Sequence, residues 1–287
     1  LRAMGDSRRP TVFLVITCFL NIAADLLFVV VFKMGVAGAA LATVCAQAIS
    51  AALMLFVLYR LPDGLEFRFR NIRMDGRLLR RILYVGVPAG LQFVTFDLAN
   101  LLIQSGINSF GSATIAAFTA YAKADMLTWM LSGAFGVAIT TFVGQNLGAG
   151  QHDRVKKGIW FGIACCCISA ELIGMLSYLF APQMIGLFCE TEEAITFGTQ
   201  HMRTICLFYF LLAFSHCIAG IMRGAGKASV PMVTMLVFWC LVRVSYITIA
   251  VKLVNELETV SRAYPITWTC SSIVFLIYFL KADWIHN

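Results

Sequence analysis

Charged side chains are scarce in this sequence. They make up 13% of its 287 residues, against about 25% in an ordinary soluble domain, and that shortage excludes a conventional water-soluble globule. Catalytic signatures are missing as well. There is no H-E-x-x-H and no nucleophile placed with a base, and neither "GQNLGAG" nor "GAGKAS" has the G-x-x-x-x-G-K-[ST] spacing of a phosphate loop. Chemistry on a substrate, including that of an intramembrane enzyme, is therefore not indicated. The ten cysteines contain no C-x-x-C pair, which argues against zinc and disulfide readings; nearly all lie in apolar runs, as small packing residues.

What remains is apolar. Hydrophobic residues reach 60% and the mean hydropathy is +0.83, values that describe an integral membrane protein. Apolar runs of about 20 residues, the length that crosses a bilayer as a helix, fall near 11–33, 36–59, 83–107, 114–143, 158–181, 202–222, 231–253 and 264–282. The expectation is an all-α protein with eight transmembrane helices. Its net charge of +7 does not mark a nucleic-acid binder, because the basic residues gather at the ends of the runs. With loops assigned to alternate sides, sixteen of the 22 Lys and Arg fall on one side and four on the other, beside the acidic "CETEEA". The rule that cytoplasmic loops are basic puts both ends of the chain in the cytoplasm of a multi-pass cell-membrane protein.

The sequence also repeats. "LRAMGDSRRP" at 1–10 aligns with "MRGAGKASVP" at 222–231 at an offset of 221, which brings Arg2 onto Arg223, Gly5 onto Gly226 and Pro10 onto Pro231. The same offset brings Ser50 onto Ser271 and Arg60 onto Lys281. Six spans separate the copies, so they run in the same direction, as parallel repeats. Residues 1–60 then read as the last two helices of a first six-helix lobe, 61–82 as a basic cytoplasmic linker beside the membrane lipids, and 83–287 as a complete second lobe. The chain opens on Leu1 rather than Met, and the expectation is that about four helices precede it.

These segments carry a resemblance. "LRAMGDSRRP", "NIAADLLFVVVFKMGVAGAALATVCAQ", "VGVPAGLQ", "INSFGSATIAAFTAYAKAD" and above all "FVGQNLGAGQHDRVKKG" are similar to the multidrug and toxic compound extrusion (MATE) family, from the fifth of its twelve helices to the last. The resemblance implies two six-helix lobes around a cavity that opens alternately to either face. It also implies an antiporter that exports small organic, often cationic, compounds in exchange for H+ or Na+, needs no cofactor and acts as a monomer. A lipid-linked oligosaccharide flippase of the same superfamily is the alternative, although its pyrophosphate would call for a more basic cavity; a third reading is a fragment inactive by itself.

Candidate site residues follow. Asn21 and Asp25 stand four apart in an otherwise apolar run, hence on one helix face. They are either a polar pair that joins helices or a proton or Na+ site in which a carboxylate and an amide oxygen suit a hard cation. The resemblance implies the second, with an acidic partner from a helix this chain lacks. Arg243 takes the place of Ile22 under the 221 offset and would do a coupling cation's electrostatic work. It calls for a carboxylate, and Asp97, Asp125 and Glu171 are the acids inside spans. Lys123 is read as neutralising Asp97, while Lys123 and Asp125, two apart, face different ways. Glu171 and His216 read as satisfied packing residues. Phe93, Phe96, Phe118, Tyr121 and Trp129 are candidates to line a cavity for flat organic cations.

Overall fold

In the computed structural model, which describes residues 1–60, 73–254 and 257–281, the chain forms two compact units, Leu1–Gly76 and Arg77–Asn287. The first unit holds α1 (Arg8–Asp25), which runs on through a π-helical turn at Leu26–Val31, and α2 (Gly35–Tyr59). Its start is set by the sequence. Gly5 adopts a positive φ of 86°, the left-handed conformation open to glycine, and Asp6 then accepts the Arg9 N–H at 3.2 Å. Pro10 falls in the first turn, where its missing N–H has no intrahelical partner to lose. The helix pair packs through Gly38, Ala42 and Ala46, a stripe of small buried residues on α2.

The second unit comprises α3 (Gly76–Ile107), α4 (Ser112–Gly148), α5 (His152–Leu179), the short α6 (Ala181–Gly186), α7 (Glu192–Cys206), α8 (Tyr209–Gly224), α9 (Ser229–Met235), α10 (Arg243–Leu253) and α11 (Leu257–Lys281). A second π turn, Leu236–Val242, joins α9 to α10. The 37-residue α4 is the central post. It crosses α8 closely enough for the Thr140 hydroxyl to donate to the Gly220 carbonyl at 3.0 Å, and α5 and α7 pack on its other sides.

The turn into α9 repeats the bonds of the turn into α1. Gly5 N–H donates to the Arg2 carbonyl and Asp6 N–H to that of Leu1; Gly226 and Lys227 donate in the same way to Arg223 and Met222. The π turns do not coincide under the 221 offset, since one follows Asp25 and the other precedes Arg243.

Among the described residues seven helices are long and apolar enough to cross a membrane, or eight if the bent pair α7 and α8 counts as one span. That pair corrects the span expected at 202–222. It is two helices meeting at 55°, and it starts at Glu192 because α7 buries one apolar face while carrying His201, Arg203 and Thr204, which lower its hydropathy. α3 also starts earlier than expected, at Gly76, so Arg77, Arg80 and Arg81, within the stretch read as a linker, are helical. The expected linker residues 61–72 lie outside the described residues.

Candidate functional site

In the first unit Asn21 and Asp25 stand one turn apart on α1, and Asp25 is its last α-helical residue before the π turn. Such turns widen the backbone and recur at functional positions. The Asn21 Nδ2 and Asp25 Oδ1 atoms are both shielded from solvent and have no hydrogen-bond partner. The amide nitrogen is a donor and the carboxylate oxygen an acceptor; of the two, the Asp25 oxygen is the one whose type suits a small cation or a proton.

The second unit contains a cavity of about 380 Å³. Its wall is aromatic, with Phe96, Phe118, Tyr121, Trp129, Tyr264 and Trp268, and its one charged lining residue is Asp125. Asp125 is 4% exposed. One carboxylate oxygen, Oδ2, accepts the Trp129 Nε1–H at 2.7 Å, a pair that α4 sets up by placing the two residues four apart. Tyr121, Thr128 and Tyr209 turn hydroxyls toward the same carboxyl. None reaches hydrogen-bonding geometry with Oδ1, which has no partner, and the Tyr209 hydroxyl has none either. A buried carboxylate oxygen of this kind attracts a cation or holds a proton.

Arg243 lies behind this wall and is fully buried. Its Nε and one terminal nitrogen donate to the Thr267 hydroxyl, at 3.0 and 2.8 Å. The guanidinium stacks 4.5 Å from the Tyr264 ring and 5.6 Å from Trp239. This corrects the expectation that it meets a carboxylate. Neither Asp97, Asp125 nor Glu171 pairs with it, its second terminal nitrogen has no partner, and aromatic faces carry the charge instead. Lys123 and Asp97 form no pair either; both are exposed, and the Lys123 ammonium sits 5.5 Å above the Phe188 ring. The α4 faces divide as expected, with Lys123 outward and Asp125 inward.

Of the five aromatic candidates, Phe96, Phe118, Tyr121 and Trp129 line the cavity, whereas Phe93 is 63% exposed. His216 packs edge-on against Trp129 and Trp239, but its buried Nε2 has no hydrogen-bond partner among the described residues, so it packs without being satisfied as expected. Sequence reasoning missed His201, which is buried against Phe118 and Tyr121, with ring centroids 4.2 and 4.4 Å away, and whose Nδ1 is 2.7 Å from the Ser261 hydroxyl. Its signal was the polar run Thr199–Thr204 ahead of an apolar stretch, which reads as a loop.

Comparison with known proteins places this architecture. The MatE family model matches residues 88–249. The chain is 31% identical over 245 residues to the Probable multidrug resistance protein YpnP of Bacillus subtilis (strain 168), an alignment that covers 84% of this chain and 54% of that protein. It is 24% identical over 204 residues to a FAD transporter of Shewanella oneidensis, covering 68% of this chain and 44% of that one. A solved structure of a MOP superfamily transporter from Pyrococcus furiosus superposes with a TM-score of 0.91 at 23% identity, over 99% of this chain and 64% of that one. The chain spans about half the length of the curated relatives it matches. An all-α, multi-pass membrane chain matched by the family model over more than half its length, it belongs to the MatE family, whose members are transporters and not enzymes.

Proposed function

We propose that this chain works in an exporter of small organic cations driven by an H+ or Na+ gradient, and that the second unit's cavity holds the cation against Asp125. The observation that carries this reading is the unpartnered Oδ1 of Asp125, a residue that lines an aromatic cavity. A volume of about 380 Å³ is within the range of small-molecule sites. Aromatic faces attract organic cations by about 0.5–2 kcal/mol each, and a carboxylate in a low-dielectric wall supplies the charge. The coupling ion belongs on Asn21 and Asp25, one turn apart on α1, where the unpartnered Asp25 Oδ1 supplies the charge. The two units are the end of one lobe and a second, parallel lobe, and the basic loops, with both ends of the chain, face the cytoplasm.

Relatives that carry an anion are the competing model, since one is named a FAD transporter, and a lipid-linked pyrophosphate would make the same demand. The cavity wall argues against both, because its charged member is an acid and Arg243 is screened from it by Tyr264. Competition decides the matter. Ethidium, followed by fluorescence anisotropy, should bind the purified chain and should not be displaced by FAD; displacement by FAD would replace the cation reading with an anion one.

A further inference from the structure

Glu171 lies in α5 eight residues before its end at Leu179, about 12 Å inside. A carboxylate at that depth in a membrane span is costly and calls for a partner. Among the described residues no cation pairs with it; its Oε2 accepts the backbone N–H of Phe210 at 3.2 Å. That N–H is the second of α8, just past the 55° break from α7. The first N–H groups of a helix have no partner inside it and carry partial positive charge. Phe208, at the N-cap, offers no side-chain hydrogen bond, so Glu171 supplies from the neighbouring helix the acceptor that a capping residue normally supplies.

Two more residues on the same face of α5 touch the break. Cys167 Sγ, one turn earlier, donates to the Phe210 carbonyl at 3.5 Å. Gly174, one turn later, lies against the Cys206 carbonyl so closely that a Cβ there would collide with it. The bend is thus held at three points by one helix. Tyr209, the residue before Phe210, turns inward. It is fully buried and packs 6.4 Å from the cavity-lining Trp268. Consecutive residues of the break thus face two ways, Phe210 meeting Glu171 by its backbone and Tyr209 packing by its ring beside the cavity-lining Trp268.

We propose that Glu171 is a positioning residue. It fixes the bend between α7 and α8 and so holds Tyr209 at the Asp125 cavity, without touching substrate itself. The proposal rests on reading that cavity as the cation site.

The test uses the purified full chain with two readouts, ethidium anisotropy and the part of the indole emission that is lost in Trp129→Phe, since Trp129 donates to Asp125. Glu171→Gln keeps an acceptor and should leave both unchanged. Glu171→Asp keeps the charge but withdraws the oxygen by one methylene, and Glu171→Leu removes it. Both should weaken ethidium binding by about tenfold, the scale of coupling between linked sites, and shift the Trp129 emission before any ligand is added. Wild-type emission and affinity in Glu171→Asp, or loss of both in Glu171→Gln, would overturn the proposal, and these two variants decide it even where Glu171→Leu does not fold. If wild type binds no ethidium, the cation site fails, while the ligand-free Trp129 emission still reads the role of Glu171.

Discussion

Asp125 and Arg243 show two ways of keeping a charge inside a membrane protein. Asp125 has one indole donor and a buried oxygen without a hydrogen-bond partner among the described residues; Arg243 has a threonine hydroxyl and two aromatic faces and reaches no carboxylate of the described residues. Because a buried ion without a counter-ion is costly to hold, Arg243→Met should leave the thermal midpoint of the purified chain unchanged or raised. It should also tighten ethidium binding a few-fold, since a positive charge one ring away from the cavity is removed; a lower midpoint with weaker binding would show that Arg243 builds the site. Arg243→Lys is not conservative here, as it gives up the planar stack on Tyr264. In the first unit, Asp25→Asn removes charge at constant size. The reconstituted transporter should then lose the dependence of ethidium efflux on the ion gradient, and an unchanged dependence would make Asn21 and Asp25 a structural pair. The acids and bases inside spans were legible as exceptions in apolar runs, and spacing alone divided Lys123 from Asp125. Their partners were not legible. Thr267 reaches Arg243 from another helix, and nothing local to either residue encodes that meeting.

At the scale of elements, helices whose faces differ little in polarity were legible from length and hydropathy, and the one broken span was not. Hydropathy averages over a window, so the amphipathic α7 dropped out and α8 looked like a whole span. The π turns beside Asp25 and Arg243 escaped for a related reason: they change the hydrogen-bond register without a residue pattern to mark them. Close crossings were legible in outline as Gly and Ala clusters, but which glycine matters depends on the partner helix. An added Cβ on Gly220 would lie 2.6 Å from the Gly136 carbonyl on α4, whereas one on Gly133 meets nothing within 4 Å. Gly220→Ala should therefore destabilise the chain by about 1–3 kcal/mol, the usual cost of overpacking. Gly133→Ala should be neutral or stabilising by up to about 1 kcal/mol, the helix preference of alanine over glycine. Thermal unfolding in detergent separates the two, and equal midpoints would mean that α4 and α8 do not cross at Gly220.

For the whole molecule, the topology proposed above rests on the distribution of Lys and Arg. A cysteine placed at Gln151, in the turn between α4 and α5, should react with an impermeant thiol reagent only from the cytoplasmic side in sealed vesicles; labelling from outside alone would invert the assignment. The matching turns at Gly5 and Gly226 belong to this scale, and their residues align in the sequence at an offset of 221. The cavity was not legible there, since its lining comes from α3, α4 and α11, and only packing brings Phe96, Asp125 and Trp268 together. Everything in the functional reading depends on that cavity accepting a cation through Asp125. The direct measurement is the dissociation constant of ethidium for the wild-type chain and for Asp125→Asn, taken by anisotropy at one pH and ionic strength. The account predicts binding to the wild type that weakens at least about tenfold in the variant, as loss of a charged partner in a buried site implies; equal constants for the two proteins would contradict it.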